Sequence, residues 1–130
     1  MEDRYLFKAK HFEEWRIGNI VKEPSGLYIR DIKENVMASI DDESTICQCT
    51  GLKDKNGNLI WENDICDKKE EYPEIVKYNN GDWTLDYSYS KGKESGYCYC
   101  NLGFYALERK YVEVIGNIFD NKELLESEEK

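Results

Sequence analysis

The residues best suited to chemistry are five cysteines and a single histidine. Cys47-Gln48-Cys49 and Cys98-Tyr99-Cys100 share a Cys-x-Cys spacing. In an extended strand, residues two apart point to one face. Two such pairs on neighbouring strands could therefore place four thiolates around a zinc ion. Against this, zinc is usually held by Cys-x-x-Cys knuckles, whose turn lets both sulfurs converge. Small thiols also fill the core face of a strand well. The spacing favours packing, and neither a metal nor a cofactor is expected.

His11 stands beside Phe12, Glu13 and Glu14 in an expected turn. A general acid or base would need a nucleophile or carboxylate in a pocket, so His11 reads as a solvent-exposed turn residue. The carboxylate pairs Asp41-Asp42 and Glu70-Glu71 fall in hydrophilic stretches and read as solvated faces. No Gly-rich phosphate loop, serine-nucleophile motif or His-containing metal motif occurs. No catalytic residue is nominated, and an enzyme is the least favoured class.

Two features could bind instead of react. Glu62, Asp64, Asp67, Glu70, Glu71 and Glu74 concentrate acidic charge, partly offset by Lys68 and Lys69. Trp83, Tyr87, Tyr89, Tyr97 and Tyr99 form an aromatic series that could pack a core, anchor a protein contact or stack bases. With a formal net charge of −9, a phosphate backbone is repelled unless a local basic patch intervenes. Direct nucleic-acid binding is therefore disfavoured, and a basic partner suits the chain better. The protein-binding candidates are Glu62, Asp67, Glu70, Glu71, Glu74, Trp83 and Tyr87.

The elements that must position these residues read as strands. The chain has 130 residues, the size of a single domain spanning 1–130. Ten Tyr and only two Pro suit strands better than linkers. "YLFKAK", "EWRIGNIV" and "GLYIRDI" predict three strands, joined at His11 to Glu13 and at "EPSG". Asn35 to Thr45 reads as loop. "TICQCTGL" predicts another strand, and Asn56-Gly57 a type I′ hairpin into "LIW". Glu62-Asn63 reads as a second tight bend before "DIC". A further Asn-Gly pair, Asn80-Gly81, separates "EIVKY" from "DWTLDYSY". In that last run Trp83, Leu85, Tyr87 and Tyr89 alternate with Thr84, Asp86 and Ser88. "SKGKESG" reads as a solvated loop, then "YCYC" and "YVEVIGNIF" as strands. "NKELLESEEK" predicts a short helix with Asp120 as N-cap. "IGNI" occurs twice, at Ile17 and at Ile115; in strands, Gly18 and Gly116 would permit close backbone approach. No run approaches the roughly 20 apolar residues of a membrane helix. "MEDRYLFKAK" lacks an apolar signal core, so a cytosolic chain with reduced thiols is expected.

"QCTGLKDKNGNLIWENDI", together with "VEVIGNIFDNKELL" and the opening "FKAKHFEEWRIGNIV", resembles the YopX-like family of phage and prophage proteins. Two positions depart from the family pattern: Asn63 stands where Gly is usual, and Lys122 where Pro is frequent. Asn tolerates positive φ, so the bend can survive. The resemblance implies a phage-derived gene in a bacterium and carries no assigned biochemical role.

The expected fold is mainly β: a small SH3-like barrel core from about Thr45 to Cys100, additional N-terminal strands packed on it, and a short C-terminal helix. The leading functional expectation is a phage-derived, non-catalytic binding protein in the cytoplasm of the bacterial host. It would be an acidic inhibitor of a defence or nucleic-acid enzyme, for example a CRISPR-type nuclease. Its partner would be a host protein with a basic nucleic-acid-binding surface. The alternatives are a nucleic-acid-associated regulator using the aromatic strand face, and a phage assembly factor. Oligomeric state is not encoded in any feature of the sequence.

Overall fold

A computed structural model describes residues 5–67, 73–87 and 99–125. Lys68, Lys69, Glu70, Glu71, Ser88, Tyr89, the "SKGKESG" segment, Tyr97 and Cys98 lie outside the described residues, as does the side chain of Tyr99. The chain divides into two compact units, Met1–Gly51 and Leu52–Lys130.

In the first unit β1 (Phe7–His11), β2 (Glu14–Glu23), β3 (Gly26–Asp31) and β4 (Val36–Ser39) follow one another as antiparallel neighbours. The free side of β1 pairs with β5 (Cys47–Lys53), with Lys8 opposite Cys47. Ile20 faces Ile29, and Ile29 faces Ala38, so one side of the ladder is apolar across three strands. Ala9, Ile29 and Ala38 are buried there, with Ile20, Ile40 and Ile46 against them. Burying a large aliphatic side chain of this kind contributes about 1.5–3 kcal/mol. The end of β1 and the turn after it also reach the end of β4 and the residues that follow it. His11 Nδ1 lies 2.8 Å from the Ser39 carbonyl oxygen, and the Phe12 N–H donates to Asp41.

Asn35 to Thr45, expected as loop, contains β4 and a 3-10 turn, Glu43–Thr45. Asp42 caps that turn, accepting from the Ser44 N–H at 3.0 Å. The β3–β4 turn is likewise built on an aspartate. Asp31 accepts from the backbone N–H groups of Lys33 and Glu34 at 2.8 and 3.0 Å, and from Arg16 at 3.1 Å.

The full order of this sheet is β4-β3-β2-β1-β5-β6, where β6 is Leu59–Trp61. A second sheet, β10-β9-β8-β7-β11, contains β7 (Asp64–Asp67), β8 (Glu74–Asn79), β9 (Asp82–Asp86), β10 (Tyr99–Asn101) and β11 (Glu113–Asn117). Ile60, Cys66, Val76, Leu85, Leu102, Ala106 and Val112 form the core of the second unit, with Leu52, Trp83, Tyr105 and Val114 packed against it.

Mainly β architecture is as expected; where a small SH3-like barrel core was expected from about Thr45 to Cys100, the described residues form parts of two antiparallel sheets with no closed barrel. Each sheet has two edge strands among the described residues. The pairing explains why. β5 hydrogen-bonds to β1, so the N-terminal strands continue its sheet instead of packing on a barrel. β11, from far along the chain, takes the second side of β7. Among the described residues helix comes only in short stretches: the 3-10 turn at Glu43–Thr45, a helical stretch over 102–109 whose Phe104–Arg109 part is π-helical and which no sequence feature announced, and a 3-10 turn, Lys122–Leu125. The latter is the described part of the expected C-terminal helix.

The tight turns follow their residue types. Asn80 and Gly81 have φ of 50° and 82°, and Asn79 pairs with Asp82. This is the type I′ geometry that Asn-Gly favours, since both central residues need positive φ. At the other pair only Gly57 is left-handed, with φ 86°. The Gly57 N–H donates to Asp54 O at 3.0 Å, and the Asp54 N–H to Asn58 O at 2.8 Å. The expected type I′ turn is therefore a type I turn closed by a left-handed glycine. Asn63 has φ 71°, which accounts for Asn where the resembled family usually has Gly. Its N–H donates to Val76 O at 2.8 Å, and its own carbonyl accepts from Ile118 at 3.1 Å.

Candidate functional site

Two of the carboxylates expected at the surface, Asp64 and Glu74, are buried inside the fold. Glu74, at the start of β8, is 2% exposed and sits opposite Cys66, so it presents no charge to a partner. Asp64 is also buried, and its carboxylate accepts from the Trp61 N–H at 2.8 Å. Burial pushes the Cys66 thiol well up, and the charges of Asp64, Glu74, Asp54 and Asp67 push it further. A thiol so placed stays protonated and unreactive. Glu62, in the β6–β7 turn, and Asp67, at the end of β7, are half-buried. Asp67 lies across from Glu113, itself 3.7 Å from Lys55. Glu70 and Glu71 fall outside the described residues.

Asp54 is a buried carboxylate that accepts three backbone N–H bonds. It is 5% exposed. One oxygen accepts from the N–H groups of Asn56 and Asn58 at 3.0 and 2.9 Å, and the other from Val114 at 2.9 Å. Burial works to raise its pKa, but the Val114, Asn58 and Asn56 donors outweigh it and hold the carboxyl below the ordinary value. Asp54 thus ties the β5–β6 hairpin to β11, a role its sequence position does not advertise.

The histidine and cysteine candidates resolve in the same way. His11 is half-buried at the end of β1, not in an exposed turn. Ser39 Oγ lies 3.4 Å from His11 Nδ1, which has the look of a nucleophile beside a base. The same nitrogen is 2.8 Å from the Ser39 carbonyl oxygen. A carbonyl only accepts, so Nδ1 carries the proton and is not available to take one from Ser39. Cys47 and Cys49 are buried, and Cys47 Sγ lies 3.3 Å from Thr45 O. β5 and β10 belong to different sheets, so Cys47 and Cys49 are not on a strand next to that of Cys100, and Cys98 lies outside the described residues. Among the described residues no group of three His, Cys, Asp or Glu side chains is placed to hold a metal ion.

What remains as a surface of binding character is aromatic. Trp83 is half-buried, one side packed on the second unit's core. Tyr78, directly across the ladder, is 58% exposed and meets it edge-on at 5.0 Å. Tyr87 is half-buried just beyond β9. Tyr78 was not among the sequence candidates. The signal for it was present, because a two-residue Asn80-Gly81 turn places Tyr78 opposite Trp83. Phe104, Leu107 and Tyr111 add exposed apolar surface at and just after the π-helical segment. Among the described residues no helix is long and apolar enough to cross a membrane.

A mainly β chain of two antiparallel sheets, with an aromatic patch on one of them, is the class these observations define. The chain belongs to the YopX protein family, which matches residues 7–126. The crystal structure of the protein yopX from Bacillus subtilis has a similar fold, with a TM-score of 0.59 at 20% identity over 95% of this chain and 99% of that one. No curated protein matches the sequence.

Proposed function

We propose that this protein is a phage-derived, non-catalytic binding protein that acts in the bacterial cytoplasm on a host protein with a basic nucleic-acid-binding surface. The observation that carries this reading is the Tyr78–Trp83 pair: an exposed Tyr held by a Trp whose far side is fixed in the core. Rigid aromatic side chains of this kind dominate protein-binding hot spots, because little side-chain freedom is lost on contact. The net charge of −9 sets the sign of the partner. Opposite potential speeds encounter with a basic surface and opposes direct contact with a phosphate backbone. Inhibition of a nucleic-acid enzyme is the consequence expected when such a protein occupies a basic channel.

A pull-down from the bacterial host, with and without nuclease treatment, tests the reading. The expected result is a host protein recovered equally in both arms. Recovery that disappears with nuclease would transfer the case to a nucleic-acid-associated regulator.

A further inference from the structure

We propose that the β1–β2 hairpin is an insertion wedge whose tip residue, Phe12, enters an apolar pocket rimmed by Lys or Arg on the host protein that this chain binds. The inference rests on the binding reading above and adds a second anchor to it. It begins with a turn whose residues do not suit it. His11 pairs with Glu14, so Phe12 and Glu13 are the two central residues, and both are left-handed with φ of 51° and 70°. Asn and Gly favour that geometry, and this chain uses them for the same turn at Asn80-Gly81. A bulky aromatic there is an outlier, and strained residues of this kind persist where the surroundings fix them, often at sites of function.

The surroundings do fix it. The Phe12 N–H donates to Asp41, His11 Nδ1 is 2.8 Å from Ser39 O, and the Lys10 N–H donates to Thr45 Oγ1 at 3.1 Å. The ring rests against His11 at 4.4 Å yet is 74% exposed, the highest value among the exposed large hydrophobic residues described. An exposed aromatic ring on a fixed backbone has few torsions to lose on entering a pocket.

Its neighbours choose the occupant. Glu13 pairs with Lys10 at 3.6 Å and Glu14 with Arg16 at 3.7 Å. The cations are only 13% and 19% exposed against 92% and 74% for the two carboxylates, and Asp41 is exposed as well, so the charge facing solvent is acidic. This acidic collar repels phosphate backbones and anionic lipid surfaces. It also opposes a second copy of the same tip. A protein pocket with an apolar floor and a cationic rim satisfies both the ring and the collar.

The test uses the full chain carrying the photoreactive analogue p-benzoylphenylalanine at position 12 or, separately, at position 78, irradiated in host lysate, with the cross-linked peptides sequenced. The expected product from position 12 is a host peptide with apolar residues flanked by Lys or Arg. The double variant Phe12→Asn, Glu13→Gly should melt about 3–8 °C higher, because its turn is relaxed, and should bind the same host protein roughly tenfold more weakly or worse. A position-12 cross-link to a second copy, to nucleic acid or to lipid overturns the wedge. So does the absence of a position-12 cross-link while position 78 labels a host protein, and in that case the broader reading stands. A lower melting temperature for the double variant also overturns it, since Phe12 would then be part of the fold. If neither position labels a host protein, the binding reading itself fails.

Discussion

Replacing Gly18 with Ala is expected to cost about 3 kcal/mol or more, at or beyond the upper end of overpacking effects. Gly18 lies in β2 between Phe7 of β1 and Asp31 of β3. A Cβ there would lie 1.7 Å from the Arg30 carbonyl oxygen and 2.8 Å from its carbon. Backbone cannot rotate aside as a side chain does, so β3 must move or the ladder must break. The matching glycine of the second "IGNI", Gly116, makes the comparison. A Cβ there would meet Asn121, at 2.5 Å from Oδ1 and 2.8 Å from Cβ. Rotation of that side chain clears Oδ1, at the loss of its bond from the Asn117 N–H at 3.0 Å, but Cβ moves only if the short turn that carries Asn121 shifts. Gly116→Ala should therefore cost about 1–3 kcal/mol, less than Gly18→Ala, because a turn yields more readily than a strand inside the ladder. Denaturant melts of the two variants decide the matter. Equal losses, or an unaffected Gly18→Ala protein, would show that β2 and β3 do not approach as closely as described.

The second large effect is at Asp54. Asp54→Ala would strand three backbone N–H donors, those of Asn56, Asn58 and Val114, and is expected to cost about 3–5 kcal/mol. Asp54→Asn keeps acceptor capacity for some of them and should cost roughly half as much. The pH dependence follows from the direction of the shift. The folded carboxyl titrates below the ordinary Asp value of about 3.9, so the unfolded chain takes up the proton first. This part of the stability is fully present above about pH 4 and is lost as pH falls through the folded pKa. Asp31 is depressed in the same direction, chiefly by the Glu34 N–H, and adds to the wild-type slope. The Asp54→Asn protein should therefore lose less stability than wild type between about pH 5 and pH 2. Parallel stability–pH curves would remove Asp54 from the hairpin's support.

Residues whose local chemistry admits one conformation were legible in the sequence. Asn80-Gly81 predicted its turn, Asn63 its left-handed bend, and the runs around Ala9, Ile20 and Ile29 their strands. Gly18 and Gly116 both fall in strands where an added Cβ meets a close neighbour. What remained hidden depends on partners distant in the chain. Alternation shows that β5 and β7 are strands, but not that β1 and β11 take up their sides, and on this the barrel expectation failed. β4 is short and borders an acidic run, so Val36-Met37-Ala38 read as loop. Asn56-Gly57 looked like its twin, yet the Asp54 carboxylate binds the Asn56 and Asn58 N–H groups and favours a different turn. Composition counted the aspartates as surface charge. Asp31, Asp54 and Asp64 are instead buried and accept backbone N–H bonds, and Glu74 is buried, whereas Asp42 caps its turn while remaining exposed. Burial thus removes Glu74 from the candidate site, and Tyr78 joins the sequence candidate Trp83.

The most direct measurement is a binding time course of the captured host protein with wild type and with Tyr78→Ala, at low and at high salt. Tyr78 is exposed, so the variant should melt as wild type does. Wild-type association should slow as salt rises, because screening removes the steering of an acidic protein toward a basic surface. Tyr78→Ala should associate at a similar rate and dissociate roughly tenfold faster or more. Association that ignores salt, together with a Tyr78→Ala complex as long-lived as wild type, would contradict the account.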